Sequence, residues 1–214
     1  MSSTKGGSPK ARNIQRAYFT VTAIVVLAVL SAAIAVTWSR LQGRSSLPSS
    51  SGVGGAFSLI DQRGNRVTDR DLLGKPALVF FGFTNCPDVC PTTLTEMTGL
   101  LKELGKEASE LNVLFITVDP QRDTPQQLAL YLSSFDPHIT GLSGTESDVA
   151  AVMAKYHVYA RKIPLKDGDY TMDHTAAIYM MNRKGQFVGL MSYQEPEELS
   201  RAKLRKLLSD PVKG

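Results

Sequence analysis

Continuous apolar segments alternate with periodic ones along most of the chain after residue 56. Residues 76–81 form an apolar run that ends at Gly82, and residues 113–118 form a second run interrupted by a single threonine. Runs of this kind are typical of strands buried on both faces of a sheet. Between them, apolar residues recur at the spacing of one helical face, at Leu94, Met97, Leu101 and Leu104. The pattern therefore predicts a strand, a helix and a second strand.

More helices and a hairpin are predicted downstream. Residues 124–127, Thr-Pro-Gln-Gln, form a helix N-terminus with a capping hydroxyl, a proline in the first turn and a capping-box glutamine. Two helical apolar faces follow, at Leu128, Tyr131, Leu132 and Phe135 and at Val149, Val152, Met153 and Tyr156. Residues 176–181 and 187–191 flank a turn sequence and predict a hairpin. A last helix is expected after Pro196.

The element order predicts an α/β domain at residues 56–214. A short strand pair is expected around residues 57–67, with a turn at Gly64 and Asn65. After it come strand, helix, strand, helix, helix, strand, strand and helix, an alternation that indicates βαβ units and a sheet covered on both faces. The closing hairpin makes that central sheet mixed. A thioredoxin-like fold accounts for this order most economically.

The N-terminal part of the chain has a different composition. Residues 1–16 carry four basic residues and no acidic one, and residues 17–38 carry no charge. At about 1.5 Å per residue, a helix of this length crosses the roughly 30 Å hydrocarbon core of a bilayer. Tyr18 and Trp38 stand near its ends, where interfacial aromatic residues are common. We predict a single transmembrane helix at residues 17–38 in the lipid bilayer, and a flexible Ser/Gly-rich linker at residues 39–55.

Basic residues predict the orientation of this helix. Four precede it and two follow it shortly after, so the positive-inside rule makes residues 1–16 a basic cytoplasmic tail. The expected location is the bacterial inner membrane with the domain in the periplasm, and the alternative is the mitochondrial inner membrane, facing the intermembrane space. A cleaved signal peptide is a competing interpretation, but the apolar run exceeds the roughly 7–15 residues of a signal-peptide core.

The net charge of +4 is concentrated ahead of the predicted domain. Six positive charges lie in the first 44 residues and the first acidic residue is Asp61, which leaves residues 45–214 with a net charge of −2. Proteins that bind nucleic acid need a basic surface. A mildly acidic domain therefore argues against a nucleic-acid partner.

Both cysteines of the chain, Cys86 and Cys90, lie between a predicted buried strand and an amphipathic helix. A helix N-terminus stabilises thiolate through its free N–H groups and its dipole. Residues four apart on a regular helix share one face, and two thiolates on one face make a soft bidentate site that suits copper. A structural disulfide or a pair of buried thiols is the alternative, although a disulfide that closes so short a loop would add little entropic stabilisation.

A third ligand would come from one of the three histidines. His174 precedes a predicted strand, and in a thioredoxin-like fold this loop faces the N-terminus of the cysteine-bearing helix, so His174 is the expected partner. His157 is expected to pack against or cap a helix, and His138 to lie at the surface. Asp173 is expected to orient a ligand or tune the local charge without binding the metal itself.

Other polar and sulfur-containing residues are expected to serve the fold. Asp119 and Asp123 flank the end of a predicted strand and the start of a helix, which favours turn chemistry. They could also belong to a partner-facing rim near the site. Core packing rather than copper binding is predicted for four methionines, namely Met172, Met180, Met181 and Met191.

Three segments together resemble the Sco/SenC family, whose members are copper chaperones for the assembly of cytochrome c oxidase. These segments are residues 81–94 (Phe-Gly-Phe-Thr-Asn-Cys-Pro-Asp-Val-Cys-Pro-Thr-Thr-Leu), 118–125 (Val-Asp-Pro-Gln-Arg-Asp-Thr-Pro) and 173–175 (Asp-His-Thr). The resemblance covers about residues 55–210, and the predicted anchor matches the family's usual layout. One departure is Asn85, where many members have His, and this residue is not one of the three ligands.

The resemblance implies a thioredoxin-like fold with Cys86, Cys90 and His174 as ligands of copper, Cu(I) or Cu(II). It also implies delivery of copper to the dinuclear centre of cytochrome c oxidase subunit II, or reduction of the cysteines of that subunit beforehand. From the residues alone, zinc also accepts two cysteines and a histidine. Copper is therefore preferred because of the resemblance and not because of the spacing.

Two functions are consistent with these residues. A metallochaperone, which is not an enzyme, would need Cys86, Cys90 and His174 and would receive copper from a periplasmic donor. A membrane-anchored thiol–disulfide reductase would need only the cysteine pair and a thiol reductant, and would exchange disulfides with its partner. A peroxiredoxin-like peroxidase is a third hypothesis, supported only by a loose likeness around the cysteines.

Overall fold

The computed structural model describes residues 52–166 and 168–209. The predicted basic tail, the predicted transmembrane helix at 17–38 and residues 39–51 of the predicted linker lie outside the described residues. Among the residues described, no helix combines the length and apolar character needed to cross a membrane.

Among the described residues, nine strands form two sheets. They are β1 (Ser58–Asp61), β2 (Arg66–Thr68), β3 (Ala77–Gly82), β4 (Asn112–Thr117), β5 (Ile139–Ser143), β6 (Ala160–Pro164), β7 (Tyr170–His174), β8 (Ala177–Met181) and β9 (Phe187–Ser192). Seven of them make one sheet in the order β2-β1-β5-β4-β3-β8-β9, and β6 pairs with β7 in a separate antiparallel hairpin. In the larger sheet β3, β4 and β5 are parallel while β8 runs antiparallel to β3, so the sheet is mixed.

In the same part of the chain, four α-helices connect and cover these strands. They are α1 (Val89–Leu104), α2 (Pro125–Leu132), α3 (Glu146–Tyr156) and α4 (Glu197–Ser209), with short 3₁₀ helices at Asp69–Leu72 and Gly105–Glu110. The predicted start of α2 is confirmed, since Thr124 caps the helix and its hydroxyl accepts a hydrogen bond from the Gln127 N–H at 3.2 Å. A hydroxyl in this position satisfies one of the N–H groups that a helix leaves unpaired.

The core lies on both faces of β3 and β4. Every residue of β3 is buried, and so are five of the six residues of β4. Phe80, Phe81 and Phe115 are each at most 1% exposed. Consecutive buried residues on a strand require cover on both faces of the sheet, and α1 supplies part of it through Leu94, Met97 and Leu101. The mixed sheet flanked by helices confirms the predicted thioredoxin-like arrangement.

Three strands were not predicted from the sequence. These are β5 and the hairpin of β6 and β7; of their residues, only the segment around His174 was expected to form a loop. A Cβ on Gly141, in the middle of β5, would lie 2.5 Å from Leu132 Cδ1, so glycine at this position allows α2 to approach the sheet closely. The same glycine interrupts the apolar pattern of the strand. In β6 most side chains are exposed, which leaves no buried face to recognise.

The strand directions bring three loops to one edge of the sheet. β3 and β4 are parallel, with Gly82 opposite Thr117, so the loops that follow them leave at the same edge. β8 is antiparallel to β3, so the segment that enters β8 arrives there as well. The loop after β3 carries the two cysteines, the loop after β4 contains residues 118–124, and the segment that enters β8 carries His174. The topology therefore assembles residues that are more than 80 positions apart in the sequence.

Candidate metal centre

The two cysteines lie at the start of α1, as predicted, but only one of them is helical. Cys90 is the second residue of α1 and is buried, whereas Cys86 lies in the preceding loop and is half-buried. The Cys90 N–H donates to Cys86 Sγ at 3.4 Å, so a free N–H group of the helix N-terminus faces this sulfur. Both cysteines are free thiols in this structure. The loop geometry, rather than a shared helical face, brings the sulfur atoms together.

The two thiols differ strongly in acidity. A hydrogen bond from the Cys90 thiol lowers the pKa of Cys86 to about 4, with burial acting in the opposite direction. The same hydrogen bond, together with burial, raises the pKa of Cys90. The reduced pair therefore holds a single proton near neutral pH, on Cys90. Cys86 is the thiolate, and thiolate is the form that binds metals and attacks disulfides.

His174 completes a group of three donor atoms. Its Nε2 lies 3.6 Å from Cys90 Sγ, and its Nδ1 lies 3.0 Å from the carbonyl oxygen of Thr175. A carbonyl can only accept, so Nδ1 is the donor in this contact and Nε2 is the ring nitrogen that faces the cysteines. The rings of Phe83 and Phe80 pack edge-on against the imidazole, with centroid separations of 5.7 and 6.4 Å. These contacts give the ring one orientation.

The geometry of this donor set fits a single metal ion. Cys86 Sγ, Cys90 Sγ and His174 Nε2 all lie within 4.8 Å of one another. Bonds of about 2.0–2.3 Å to a central ion would place three donors roughly 3.5–4 Å apart, so a contraction of at most about 1.3 Å suffices. In the described part of the chain, no other group of three or more Cys, His, Asp or Glu side chains meets this condition.

A cavity of about 270 Å³ opens beside the donor atoms. It is lined by Phe83, Cys86, Pro87, Asp88, Val89, Thr171, Met172, Asp173, His174 and Ala176. Asp173 is exposed at the rim of this cavity. The Nδ1 of His174 contacts the carbonyl of Thr175. Cys86 and His174 are thus reachable from solvent, whereas Cys90 lies behind them. An incoming molecule would meet the site through this opening.

The remaining sequence candidates lie away from the donor atoms. His157 is exposed at the C-terminus of α3, and its Nε2 lies 3.1 Å from the Gly52 carbonyl oxygen. His138 is exposed and pairs with Asp136 at 2.7 Å. Both match the structural roles predicted for them. The core assignment is confirmed for three of the methionines, Met180, Met181 and Met191, while Met172 packs partly on the core and also lines the cavity.

The loop between β4 and α2 contributes more than the predicted turn. Its backbone does form a turn, since the Asp123 N–H donates to the Asp119 carbonyl at 2.9 Å. The two carboxylates, however, are buried. Asp123 accepts hydrogen bonds from the Thr84 N–H at 3.1 Å and from the hydroxyls of Thr84 and Thr117 at 2.6 Å each. The sequence signal that could have identified these buried carboxylates is a pair of acidic residues shortly after a buried strand that ends at the site.

Comparison with known proteins places the chain among close relatives. The SCO1/SenC family model matches residues 45–209. Protein sco1 of Schizosaccharomyces pombe is 41% identical over 155 residues, which are 70% of this chain and 59% of that protein. Protein SCO1 homolog, mitochondrial, of Homo sapiens is 42% identical over 139 residues, 64% of this chain and 46% of that protein. The chain thus spans about half the length of the curated relatives it matches.

Structural comparison agrees with the sequence comparison. The structure of Bradyrhizobium japonicum ScoI with copper bound is 54% identical to this chain, with a TM-score of 0.69. The alignment covers 73% of this chain and 99% of that one. From the family match across residues 45–209 and the relatives at about 40% identity, we conclude that the chain belongs to the SCO1/SenC family.

Proposed function

We propose that this chain is a copper chaperone that binds one copper ion through Cys86, Cys90 and His174 and delivers it to the dinuclear copper centre of cytochrome c oxidase subunit II. The observation that carries the proposal is the approach of the three donor atoms to within 4.8 Å of one another. Family membership and the copper-bound state of the Bradyrhizobium japonicum relative support copper as the cargo.

Donor chemistry also favours copper over zinc. Thiolate sulfur is a soft ligand that selects Cu(I), and intrinsic affinities of divalent ions place Cu(II) above Zn(II). The Cys86 thiolate is ready to bind an ion, whereas Cys90 must first release its proton. The imidazole presents Nε2 toward the cysteines, because Nδ1 bonds the Thr175 carbonyl. Copper, when bound, is therefore held by two sulfurs of different accessibility and one nitrogen.

The cavity suggests how the cargo leaves. Ligands of a partner would enter beside Cys86 and His174, which line the opening, while Cys90 is buried behind them. Stepwise ligand exchange would then replace the two accessible donors first and Cys90 last. This order keeps the ion coordinated throughout the transfer.

Copper titration of the reduced, anaerobic full-length chain in detergent tests the binding site. Binding of Cu(I) is measured by competition with a chromophoric chelator, and binding of Cu(II) by thiolate-to-copper charge-transfer absorption. We expect one tightly bound copper per chain, and loss of tight binding in Cys86→Ala, Cys90→Ala and His174→Ala. His138→Ala is the matched control, because His138 is exposed and pairs only with Asp136 among the described residues. Copper binding by His174→Ala as tight as in the control would refute the three-ligand site.

Delivery requires a separate experiment. The copper-loaded chain is mixed with reduced, metal-free subunit II, and the absorption of the dinuclear centre is followed over time. We expect the centre to form with the parent chain and with His138→Ala. A chain that binds copper tightly but leaves subunit II empty would contradict delivery while leaving the binding site intact.

The asymmetry of the thiols supports a second candidate function, reduction of the cysteines of subunit II. The accessible Cys86 thiolate would attack the partner disulfide, forming a mixed disulfide and releasing one partner thiolate. Cys90, as thiolate, would then attack Cys86 Sγ, releasing the second partner thiolate and leaving a Cys86–Cys90 disulfide. This function predicts that His174→Ala still reduces oxidised subunit II, whereas Cys86→Ser does not. Failure of the parent chain to reduce it would exclude the role.

We also propose that residues 17–38 anchor the chain in the bacterial inner membrane, with the domain in the periplasm. The uncharged segment and the excess of preceding basic residues support this location. Protease treatment of spheroplasts should degrade the domain from outside, and carbonate extraction should leave the chain in the membrane fraction. Protection of the domain from protease would contradict the orientation.

A further inference from the structure

The donor atoms come from two segments of the fold, one that follows a strand of the main sheet and one that belongs to a separate hairpin. Cys86 and Cys90 lie on the segment after β3, which is a central strand. His174 is the last residue of β7, which belongs to the separate hairpin. No strand of the seven-stranded sheet pairs with this hairpin among the described residues. The short connection from His174 to β8 ties one end of β7 to the main sheet, and contacts at the other end of β7, beside the turn of the hairpin, help to set the direction of the strand.

Two side chains of the loop after β4, Asp119 and Arg122, contact Tyr170, the first residue of β7. The Tyr170 hydroxyl donates to Asp119 Oδ1 at 2.8 Å. Arg122 donates from Nε to Asp119 Oδ2 at 2.5 Å and from Nη1 to the Tyr170 carbonyl at 2.9 Å. Its guanidinium carbon also lies 3.8 Å from the centroid of the Tyr170 ring. Asp119 is only 1% exposed, so this charge is fully enclosed by its partners.

The same loop also holds the cysteine segment, through a different residue. Asp123 is 0% exposed and accepts two hydrogen bonds from Thr84, which lies two residues before Cys86. A hydroxyl of β4, from Thr117, donates to Asp123 and accepts from the Asp119 N–H at 2.9 Å. One loop thus contacts the cysteine segment at one end and the histidine hairpin at the other.

We propose that Asp119, Arg122 and Tyr170 form a latch that holds the histidine-bearing hairpin against the cysteine segment, with Tyr170 as a positioning residue for metal binding. The inference rests on the proposed function, because it assigns these residues a role toward the same metal site. Tyr170 lies four residues before His174 on one strand, so release of its hydroxyl allows the strand to move as a unit. The cysteine segment keeps its own attachment through Asp123.

This separation of the two attachments has a measurable consequence. Loss of the Tyr170 hydroxyl should weaken the contribution of His174 to metal binding and leave dithiol chemistry unchanged. A hydrogen bond to a charged group shifts an equilibrium by about 10- to 100-fold, and partners that orient metal ligands affect affinity by a similar factor. We expect Tyr170→Phe to weaken Cu(I) binding about tenfold. Arg122 still neutralises Asp119 in this variant, so the fold is retained.

The test compares Tyr170→Phe with a matched control in the reduced full-length chain. The control is Tyr159→Phe, because Tyr159 is 51% exposed and its hydroxyl bonds none of the described residues. Cu(I) affinity and the reduction potential of the cysteine pair are measured for both. We expect the potential to stay at the parent value in both variants and the affinity to fall only in Tyr170→Phe. Unchanged affinity, or a matching shift of the potential, would overturn the proposal.

A double-mutant cycle distinguishes positioning from a general structural effect. The loss of Cu(I) affinity caused by His174→Ala should be about tenfold smaller in the Tyr170→Phe background than in the parent, because His174 already contributes less to binding there. Equal costs in the two backgrounds would show that Tyr170 does not act through His174. The cycle therefore links the latch to one ligand rather than to overall stability.

A readout without metal separates failure of the latch from failure of the proposed function. In the metal-free chain, nuclear Overhauser contacts between the rings of Phe83 and His174, whose centroids are 5.7 Å apart, report the position of the hairpin. We expect these contacts to weaken in Tyr170→Phe and to persist in Tyr159→Phe. If the parent chain bound no copper, the proposed function would be refuted, but the nuclear Overhauser contacts would still test the latch. Contacts in Tyr170→Phe that are as strong as in the parent chain would refute the latch.

Discussion

Gly82 is the position where a single methyl group should disturb both the core and the candidate site. It ends β3, directly before the cysteine segment. A Cβ at this residue would lie 2.6 Å from Phe115 Cε2 and 2.9 Å from Cys90 Sγ. Optimal contacts between carbon atoms are about 3.5–4.0 Å, so the ring would have to move by about 1 Å. Phe115 is fully buried on the adjacent strand β4, which leaves it little room to do so.

We expect Gly82→Ala to destabilise the domain by about 1–2 kcal/mol. Overpacking of a buried site costs about 1–3 kcal/mol. Loss of glycine flexibility in the unfolded chain offsets about 0.4–1 kcal/mol of this. Displacement of Cys90 Sγ should also weaken copper binding by about tenfold, a size typical of disturbed ligand orientation.

Gly99→Ala is the matched control. Gly99 lies within α1, and a Cβ there would meet nothing within 4 Å. Alanine is a better helix former than glycine, so this variant should be more stable than the parent by about 0.5–1 kcal/mol. Urea unfolding of reduced, metal-free residues 50–214, which form one compact unit, measures both changes. The reasoning is refuted if Gly82→Ala is as stable as Gly99→Ala, or if it binds copper as tightly as the parent.

Three further predictions follow from the thiols and from a helix cap. Alkylation of Cys86 in the reduced, metal-free chain should proceed at a rate independent of pH between about 5 and 8, because the pKa of this thiol is lowered to about 4. Cys90→Ala removes the main hydrogen-bond donor to Cys86 and should shift the pH profile of the alkylation rate to higher pH. An unshifted profile would contradict Cys90 as the cause of the lowered pKa. Copper binding at pH 7 should release about one proton, from Cys90. Calorimetry in buffers of different ionisation enthalpy measures this number, and release of two protons would show that Cys86 is not a thiolate. Thr124→Ala should lower the free energy of unfolding by about 0.5–2 kcal/mol, since the N–H of Gln127 loses its acceptor; Thr124→Ser should restore it.

Elements with strong apolar patterns were predictable from the sequence. The strand at residues 76–81 corresponds to β3, and the helical stripe at Leu94, Met97 and Leu101 corresponds to α1. The hairpin around residues 182–185 was also predicted, and it joins β8 to β9. These segments are recognisable because burial on one or both faces leaves a periodic trace in the sequence.

Elements whose burial depends on a neighbour were not predictable. β5 contains Gly141, which is needed for the close approach of Leu132, and the apolar run is broken at that residue. No residue of β6 or β7 is buried, and the hairpin contacts Arg122 and Asp119 of another segment. Contacts between segments so distant in the chain leave no periodic signal at either end.

The candidate site divides in the same way. By itself, the sequence determined the chemistry: two thiols near the N-terminus of a helix, and a histidine directly before a strand. These features are local, since they depend only on spacing and on the residues beside them. Only the tertiary structure decided that Cys86 is the thiolate, that the Thr175 carbonyl fixes the tautomer of His174, and that Asp119 and Asp123 are buried. Acidity, tautomer and burial depend on which groups the fold brings within hydrogen-bonding distance, and in this domain those groups come from separate loops that meet at one edge of the sheet.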